Sequence, residues 1–470
     1  MSADLNYSPL SGRCSPSSVS QEVAGKPTKP ASSDKQVFQY SFQQLAGSDF
    51  VRKVAETYAT QIVLIGVGLA TTIGVARSLG PEGRGLYAVA MAMGMTGVQL
   101  GSLGLHASNT YYVAQNRSLL PTLVGNSLAI AFGFGGAIAA TLYLVFRFAP
   151  RLAPVHGPLL VLGLVWIPLG LAYLLAKSLL TGVQEIRSYN KVELLNRILS
   201  LSLLGLLILS RRATPDLVIA AALLGTSVSL GWTYSLLKRC AHFRPRLSFQ
   251  LMRAHFALGI KAYLLALFSF LLLRIDMLMV KYFLGPEQAG YYSIASTMGD
   301  YLLMLPSIIG FILFPRLSAV ADRGEKLRQA EKATLGTAVV LIPLLGLAAV
   351  MAKPIVYILF GKEFLPAISP FLWLIPGILA MGMETAIVQY LNSLGYPSLL
   401  VWIWLGSTLL NIGLNFWAIP RFGISGASLV SSVSYSFVLC CVLGLVYMGR
   451  CTRPEPGTRF VADSRATEFN

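Results

Sequence analysis

The chain is 470 residues long, 55% hydrophobic and only 12% charged, with a mean hydropathy of +0.65. Soluble domains carry about 25% charged residues, so the composition excludes an ordinary soluble protein and requires one that crosses the bilayer many times. The net charge of +17 would suggest nucleic acid in a soluble chain. Here Lys and Arg gather at the ends and in particular short loops, the pattern that encodes membrane orientation, and no nucleic-acid partner is expected.

Residues 1–50 are rich in Ser, Pro, Lys and Gln. They bury too little to fold and are expected to form a disordered cytoplasmic tail, with no signal peptide. After Arg52 and Lys53 the apolar segments recur at regular intervals. With about 20 residues per crossing, twelve helices are expected, centred near Gly66, Val98, Phe134, Ile167, Leu201, Thr226, Phe268, Leu302, Ile342, Leu379, Ser407 and Phe437. The fold class is all-α and polytopic, with about twelve transmembrane helices in two parallel six-helix repeats around a central cavity. The bundles cover residues 51–237 and 256–449. A basic cytoplasmic linker, 238–255, joins them, and a cytoplasmic tail follows from 450 to 470. In the linker Phe243, Leu247, Phe249 and Leu251 alternate with basic and polar residues, as suits an anionic membrane surface.

The division into halves rests on a repeat. Leu79-Gly80-Pro81-Glu82-Gly83-Arg84-Gly85-Leu86-Tyr87-Ala88 recurs as Leu284-Gly285-Pro286-Glu287-Gln288-Ala289-Gly290-Tyr291-Tyr292-Ser293, an offset of 205. Tyr58 falls opposite Tyr263, Ala90 opposite Ala295 and Met93 opposite Met298. A fixed offset marks an internal repeat. Six crossings separate the copies, so both turns face the same side and the halves share one topology. The Gly and Pro serve a tight turn; little chemistry is expected there, and the copies serve as a ruler.

Basic residues set the orientation. One side has both tails, Arg117, Arg187, Lys191, the linker and the segment from Arg316 to Lys332; the other has only pairs such as Arg77/Arg84, Arg147/Arg151 and Arg211/Arg212. The bias places both termini in the cytoplasm and the repeat turns outside.

An ionisable residue inside a crossing is a functional candidate by default. Arg274 and Asp276 lie in helix seven, where the aligned positions of helix one are Leu69 and Thr71. Arg274 either pairs with a neighbouring acid or binds an anionic group; Asp276 would orient that group or bind a coupling cation. Glu193 and Arg197 are four apart and share a helix face, which favours an internal pair. The alternative joins Arg197 with Lys177 in a basic patch at the cytoplasmic mouth. Lys177 and Lys261 are equally open to snorkelling. Asp276, Asp300 and Glu384 are candidates for holding a proton or Na⁺, or for partnering an intramembrane cation. No cofactor is expected beyond coupling to an H⁺ or Na⁺ gradient or to the membrane potential. The cysteines and histidines show no ligand spacing, and no GxxxxGK[ST] loop is present. The short outer loops argue against a membrane glycosyltransferase or polymerase, so an enzyme is not expected.

Three stretches carry a family resemblance. They are Ala76-Arg77-Ser78-Leu79-Gly80-Pro81-Glu82-Gly83-Arg84-Gly85-Leu86-Tyr87; Gly259-Ile260-Lys261-Ala262-Tyr263 with Arg274-Ile275-Asp276, the second LGPE turn and Gly290-Tyr291-Tyr292-Ser293-Ile294-Ala295; and Phe422-Gly423-Ile424-Ser425-Gly426-Ala427-Ser428-Leu429. Over residues 50–450 the chain resembles the oligosaccharide flippases, the Wzx-like branch of the multidrug/oligosaccharidyl-lipid/polysaccharide exporter superfamily. The resemblance implies alternating access by two bundles and a cargo of polyprenyl-diphosphate-linked oligosaccharide. It also implies the bacterial inner membrane, with a polysaccharide polymerase and chain-length machinery as partners. Arg274, Arg197 and Lys177 then become candidates for the phosphates, and Tyr58, Tyr263 and Asn411 for sugar hydroxyls. Helix one departs from branches that carry a charge there, since only Glu56 lies near its start. A cation-coupled exporter of small amphiphiles is the second reading.

Overall fold

Glycines decide where the long apolar run breaks into separate crossings. The computed structural model describes residues 49–240, 246–395 and 397–448; the expected tails lie almost wholly outside them. Contacts divide the chain at Ala55, and the architecture belongs to the unit from Glu56 onward, which holds all of the helices below except the first seven residues of α1. Its helices are α1 (Asp49–Ser102), α2 (Leu105–Gln115), α3 (Leu120–Ala129), α4 (Gly135–Phe148), α5 (Pro158–Gly182), α6 (Ile186–Leu209) and α7 (Pro215–Cys240), then α8 (Phe249–Leu284), α9 (Pro286–Ala319), α10 (Arg323–Leu359), α11 (Ile368–Ser393) and α12 (Ser398–Tyr447). A π-turn at Ile130–Phe134 joins α3 to α4 in one crossing.

Among the described residues, ten helices are long and apolar enough to cross a membrane. Two of these are too long for one passage: the 43-residue Thr60–Ser102 and the 50-residue Ser398–Tyr447 would reach about 65 and 75 Å at a rise of 1.5 Å per residue, against a core of about 30 Å. Each contains one non-helical glycine, Gly80 (φ 67°) and Gly423 (φ 63°). Positive φ is open to glycine without a Cβ clash, and Pro81, lacking an N–H, starts the next helix at no cost. The arms of α12 fold back on each other, with Asn411 Nδ2 donating to Ser434 Oγ at 3.3 Å. In α1, Val75 and Tyr87 from the two arms meet in one apolar cluster with Leu204 and Val218. Counting both arms of each gives twelve crossings, and every expected helix centre falls in one of them.

The helices of residues 105–240 pack chiefly among themselves, as do those of residues 260–447. Across the division α2 packs against α8. At that end Tyr263 donates its hydroxyl to Leu100 O at 2.8 Å. The described part of the expected basic linker is tied to the first half. Arg246 N donates to Pro121 O at 3.1 Å, and Asn126 exchanges two hydrogen bonds with the Ser248 backbone at 2.9 and 3.0 Å. Ser248 Oγ then caps α8 by accepting from Leu251 N. Leu247 and Phe249 are exposed (73% and 77%), Leu251 packs against an apolar cluster of the first half, and Phe243 lies outside the described residues.

At the opposite end the two repeat turns lock together. A Cβ on Gly85 would lie 1.8 Å from Pro286 O, and one on Gly290 would lie 1.9 Å from Pro81 O. Gly85 and Gly290 are repeat equivalents, as are Pro81 and Pro286, so the contact is reciprocal about the repeat axis. Small residues permit such backbone approach. The turns therefore have a role beyond the reversal expected of them. Two arginines of the first half reinforce the contact. Arg77 donates to Leu359 O at 2.8 Å and to Ile358 O, capping the end of α10, where the carbonyls lack helical partners. Arg84 Nε donates to Ser293 Oγ at 3.1 Å.

Candidate functional site

The paired intramembrane charges fall into two groups, one in each half. In the first half, Lys177 on α5 holds Glu193 on α6, Nζ to Oε2 at 2.5 Å, and Arg197 Nε lies 3.7 Å from Oε1 of the same carboxylate. The Tyr173 hydroxyl donates to Glu193 Oε2 at 3.3 Å. The Lys177 ammonium also lies 4.6 Å from the Tyr173 ring centroid and 5.5 Å from that of Tyr189. The expected Glu193–Arg197 pair is thus the looser of two, and Lys177 is committed to a neighbour rather than directed to the membrane surface. Arg197 keeps 54% of its side-chain exposure. It acts electrostatically on Tyr87 of the first half and Tyr301 of the second.

In the second half, Arg274 Nη2 on α8 bonds Asp300 Oδ2 on α9 at 2.8 Å. Both helices belong to one half, so the pair does not lock the halves together. The two side chains keep 32% and 40% exposure. A charge turned toward hydrocarbon is costly, so this pair also belongs to a polar space between helices. Tyr301, next to Asp300, connects the groups: its hydroxyl lies 3.7 Å from the Cβ position of Gly68 on the first half. It is within electrostatic reach of Arg84, Arg197 and Asp300. Cationic, anionic and phenolic groups from α1, α6, α8 and α9 therefore converge there.

Other sequence candidates are turned elsewhere. Asp276 is two residues from Arg274 but points into the second half, 2% exposed. Its Oδ1 accepts from Met277 N at 2.7 Å, while Oδ2 accepts from Ser431 Oγ at 3.0 Å and from the Tyr292 hydroxyl. Two residues along a helix is about 200° of rotation, which explains why the pair expected to act together faces two ways. Asn411 is fully buried between the arms of α12, donating to Ser434 and accepting from Asn415 Nδ2 at 2.9 Å. Its amide is occupied inside the hairpin rather than offered to a sugar. Tyr263 is likewise occupied by Leu100 O. Lys261 is partly buried near the same end, and the Tyr58 side chain lies outside the described residues. Glu384 on α11 is 3% exposed, and its Oε1 has no hydrogen-bond partner among the described residues.

Arg84, Tyr87 and Tyr301 were not candidates from sequence. Arg84 looked like a loop charge beside the LGPE turn, yet it is buried at 7% exposure. The repeat alignment held the signal, because the equivalent of Arg84 is Ala289 and that of Tyr301 is Thr96.

Comparison with known proteins agrees with this architecture. The chain is 25% identical to the succinoglycan biosynthesis transport protein ExoT of Rhizobium meliloti (strain 1021), over 75% of this chain and 70% of that protein. It is 20% identical to a putative O-antigen transporter of Shigella flexneri, over 79% and 92% of the two chains. Among solved structures, the lipid II flippase MurJ in an inward closed conformation superposes with a TM-score of 0.67 at 16% identity, covering 84% of this chain and 87% of that one. The family model described as polysaccharide biosynthesis protein matches residues 74–369. The chain belongs to this polysaccharide biosynthesis protein family, the Wzx-like flippases of the multidrug/oligosaccharidyl-lipid/polysaccharide exporter superfamily.

Proposed function

We propose that this multi-pass membrane protein is a flippase that carries a polyprenyl-diphosphate-linked oligosaccharide across the inner membrane by alternating access, for cell-surface polysaccharide assembly. The observation that carries the reading is the convergence of Arg197, the Arg274–Asp300 pair and Tyr301 between the two halves. A diphosphate entering a low-dielectric space needs cationic partners, and guanidinium groups match phosphoryl oxygens two at a time. Sugar hydroxyls need a polar lining, while the prenyl chain can remain in the bilayer. The printed names of the relatives, a succinoglycan transport protein and a putative O-antigen transporter, support the cargo class. Family members are transporters rather than enzymes, which supports transport without covalent chemistry.

In this reading the locked repeat turns form the closed outer end, and both termini are cytoplasmic. Movement is driven by an H⁺ or Na⁺ gradient or by the membrane potential, with the buried Glu384 as the proton-holding candidate. A polymerase and chain-length machinery act on the delivered product. Deleting the gene is the test. Loss of a surface polysaccharide, with its lipid-linked precursor accumulating on the cytoplasmic leaflet, is expected. An unchanged polysaccharide with new sensitivity to organic cations would overturn the flippase reading in favour of a small-molecule exporter.

A further inference from the structure

Lys177, Arg197 and Arg274 each have a carboxylate partner, at 2.5, 3.7 and 2.8 Å. Arg84 does not. Among the described residues its guanidinium makes one hydrogen bond, from Nε to Ser293 Oγ, and lies 5.5 Å from the Tyr87 ring centroid, with no ion pair. The side chain is only 7% exposed. A buried cation lacking a counter-charge is strongly unfavourable unless something completes it. The groups in electrostatic reach of Arg84 are two phenols, Tyr87 and Tyr301, and Arg197 reaches the same two. Asp300, the acid that acts on Tyr301, is already bonded to Arg274. Two guanidinium groups thus share two phenols near the turns, and the acids beside them, Asp300 and Glu193, are already paired with Arg274 and with Lys177 and Arg197.

We propose that Arg84, together with the Tyr87 and Tyr301 hydroxyls, is a binding site for a phosphoryl group, and that the bound anion competes with Ser293 for the guanidinium. The site rests on the diphosphate-cargo reading and adds a phosphoryl contact nearer the closed end than Arg274. Its planar fork can bond two phosphoryl oxygens at once, and each phenol has an O–H to donate. Ser293 belongs to the opposite half, three residues from Gly290. An anion that draws Arg84 away from Ser293 therefore removes a polar contact from the locked turns, so arrival of cargo loosens the end through which it leaves.

The test uses purified full-length protein in detergent micelles, titrated separately with geranylgeranyl diphosphate, inorganic pyrophosphate and phosphatidylglycerol. Wild type is expected to bind the prenyl diphosphate most tightly. Arg84→Met is expected to bind it about tenfold to hundredfold more weakly, the worth of a hydrogen bond to a charged group. Without ligand this variant should melt at or above the wild-type temperature, because an apolar chain replaces an uncompensated buried cation. Ser293→Ala keeps the guanidinium and frees it, so it should bind at least as tightly as wild type. Equal affinity in Arg84→Met and wild type overturns the proposal. So does a lower melting temperature in Arg84→Met combined with lost affinity in Ser293→Ala, the pattern of a structural tie. Binding of phosphatidylglycerol alone, abolished in Arg84→Met, would keep the phosphoryl site and overturn the diphosphate cargo. Binding of pyrophosphate as tight as that of the prenyl compound would make the anion a free phosphate. A wild type that binds none of the three overturns both readings.

Discussion

Replacing Gly85 by Ala tests whether the repeat turns hold the two halves together. The added Cβ would sit 1.8 Å from Pro286 O and 2.8 Å from Gly290 N. Carbon–oxygen contacts are comfortable from roughly 3.3 Å, so the turns must separate by about 1.5 Å. The atoms struck are backbone at the start of α9 and have no rotamer that relieves the clash. Overpacking costs about 1–3 kcal/mol. A value near 3 kcal/mol is expected, because relief also strains the Arg84–Ser293 bond one residue away. Gly290→Ala strikes Pro81 O from the other side at 1.9 Å and should cost about the same. Either substitution opens the same contact, so the double variant should lose little more than the worse single. That leaves a coupling of about 2–3 kcal/mol between residues 205 positions apart. Thermal unfolding of wild type, both singles and the double in detergent measures it, with spin labels at the exposed Glu82 and Glu287 reporting the separation. Additive losses, or singles that melt like wild type with unchanged label distances, would refute the reciprocal contact.

The charged groups give three further expectations. Arg274→Ala should abolish transport while the protein still inserts, and the exchanged pair Arg274→Asp with Asp300→Arg should recover stability but not transport; a transport assay in a deletion strain, with immunoblots for insertion, distinguishes them. Glu193→Gln leaves Lys177 partly buried without its partner and should cost about 3 kcal/mol, seen as a lower melting temperature that Lys177→Met on the same background partly restores. Asp276→Asn weakens an acceptor of three hydrogen bonds and should cost about 2–3 kcal/mol; its transport, normalised to folded protein, should stay near wild type, and a selective loss of transport would instead restore Asp276 to the cargo or coupling path.

How much the sequence disclosed differs between backbone and side chain. Crossings were legible because about 20 apolar residues and a breaker suffice to specify one, and the breakers Gly80, Gly285 and Gly423 were all in view. Their positive φ values are ones that glycine adopts without a Cβ clash. Partner choice was not legible. Arg274 and Asp276 are neighbours in sequence but face opposite sides of α8. Lys177 finds Glu193 across a helix boundary, sixteen residues away. Such pairings depend on helix rotation and tilt, which an apolar surface packed against other apolar surfaces leaves nearly unmarked in the sequence. Arg84 was missed for a related reason. A charge beside a turn ordinarily reaches water, and only the interlocking of both turns buries this one.

The repeat aligns the backbones of the two halves while their interior charges have diverged. Inside the bundles the first half presents Arg84, Arg197 and Lys177 with one acid, Glu193. The second presents Arg274 with Asp300, and has Asp276 and Glu384 buried behind them. An anion between the halves is therefore drawn toward the first half, and a cation toward the second. On the flippase reading, cargo and coupling ion then occupy opposite sides of the same space and need not exchange places. They would communicate through the contact between halves, where Arg84 meets Ser293 and Gly85 meets Pro286. On that reading duplication supplied two equal bundles, and opposite interior charge makes the space between them directional.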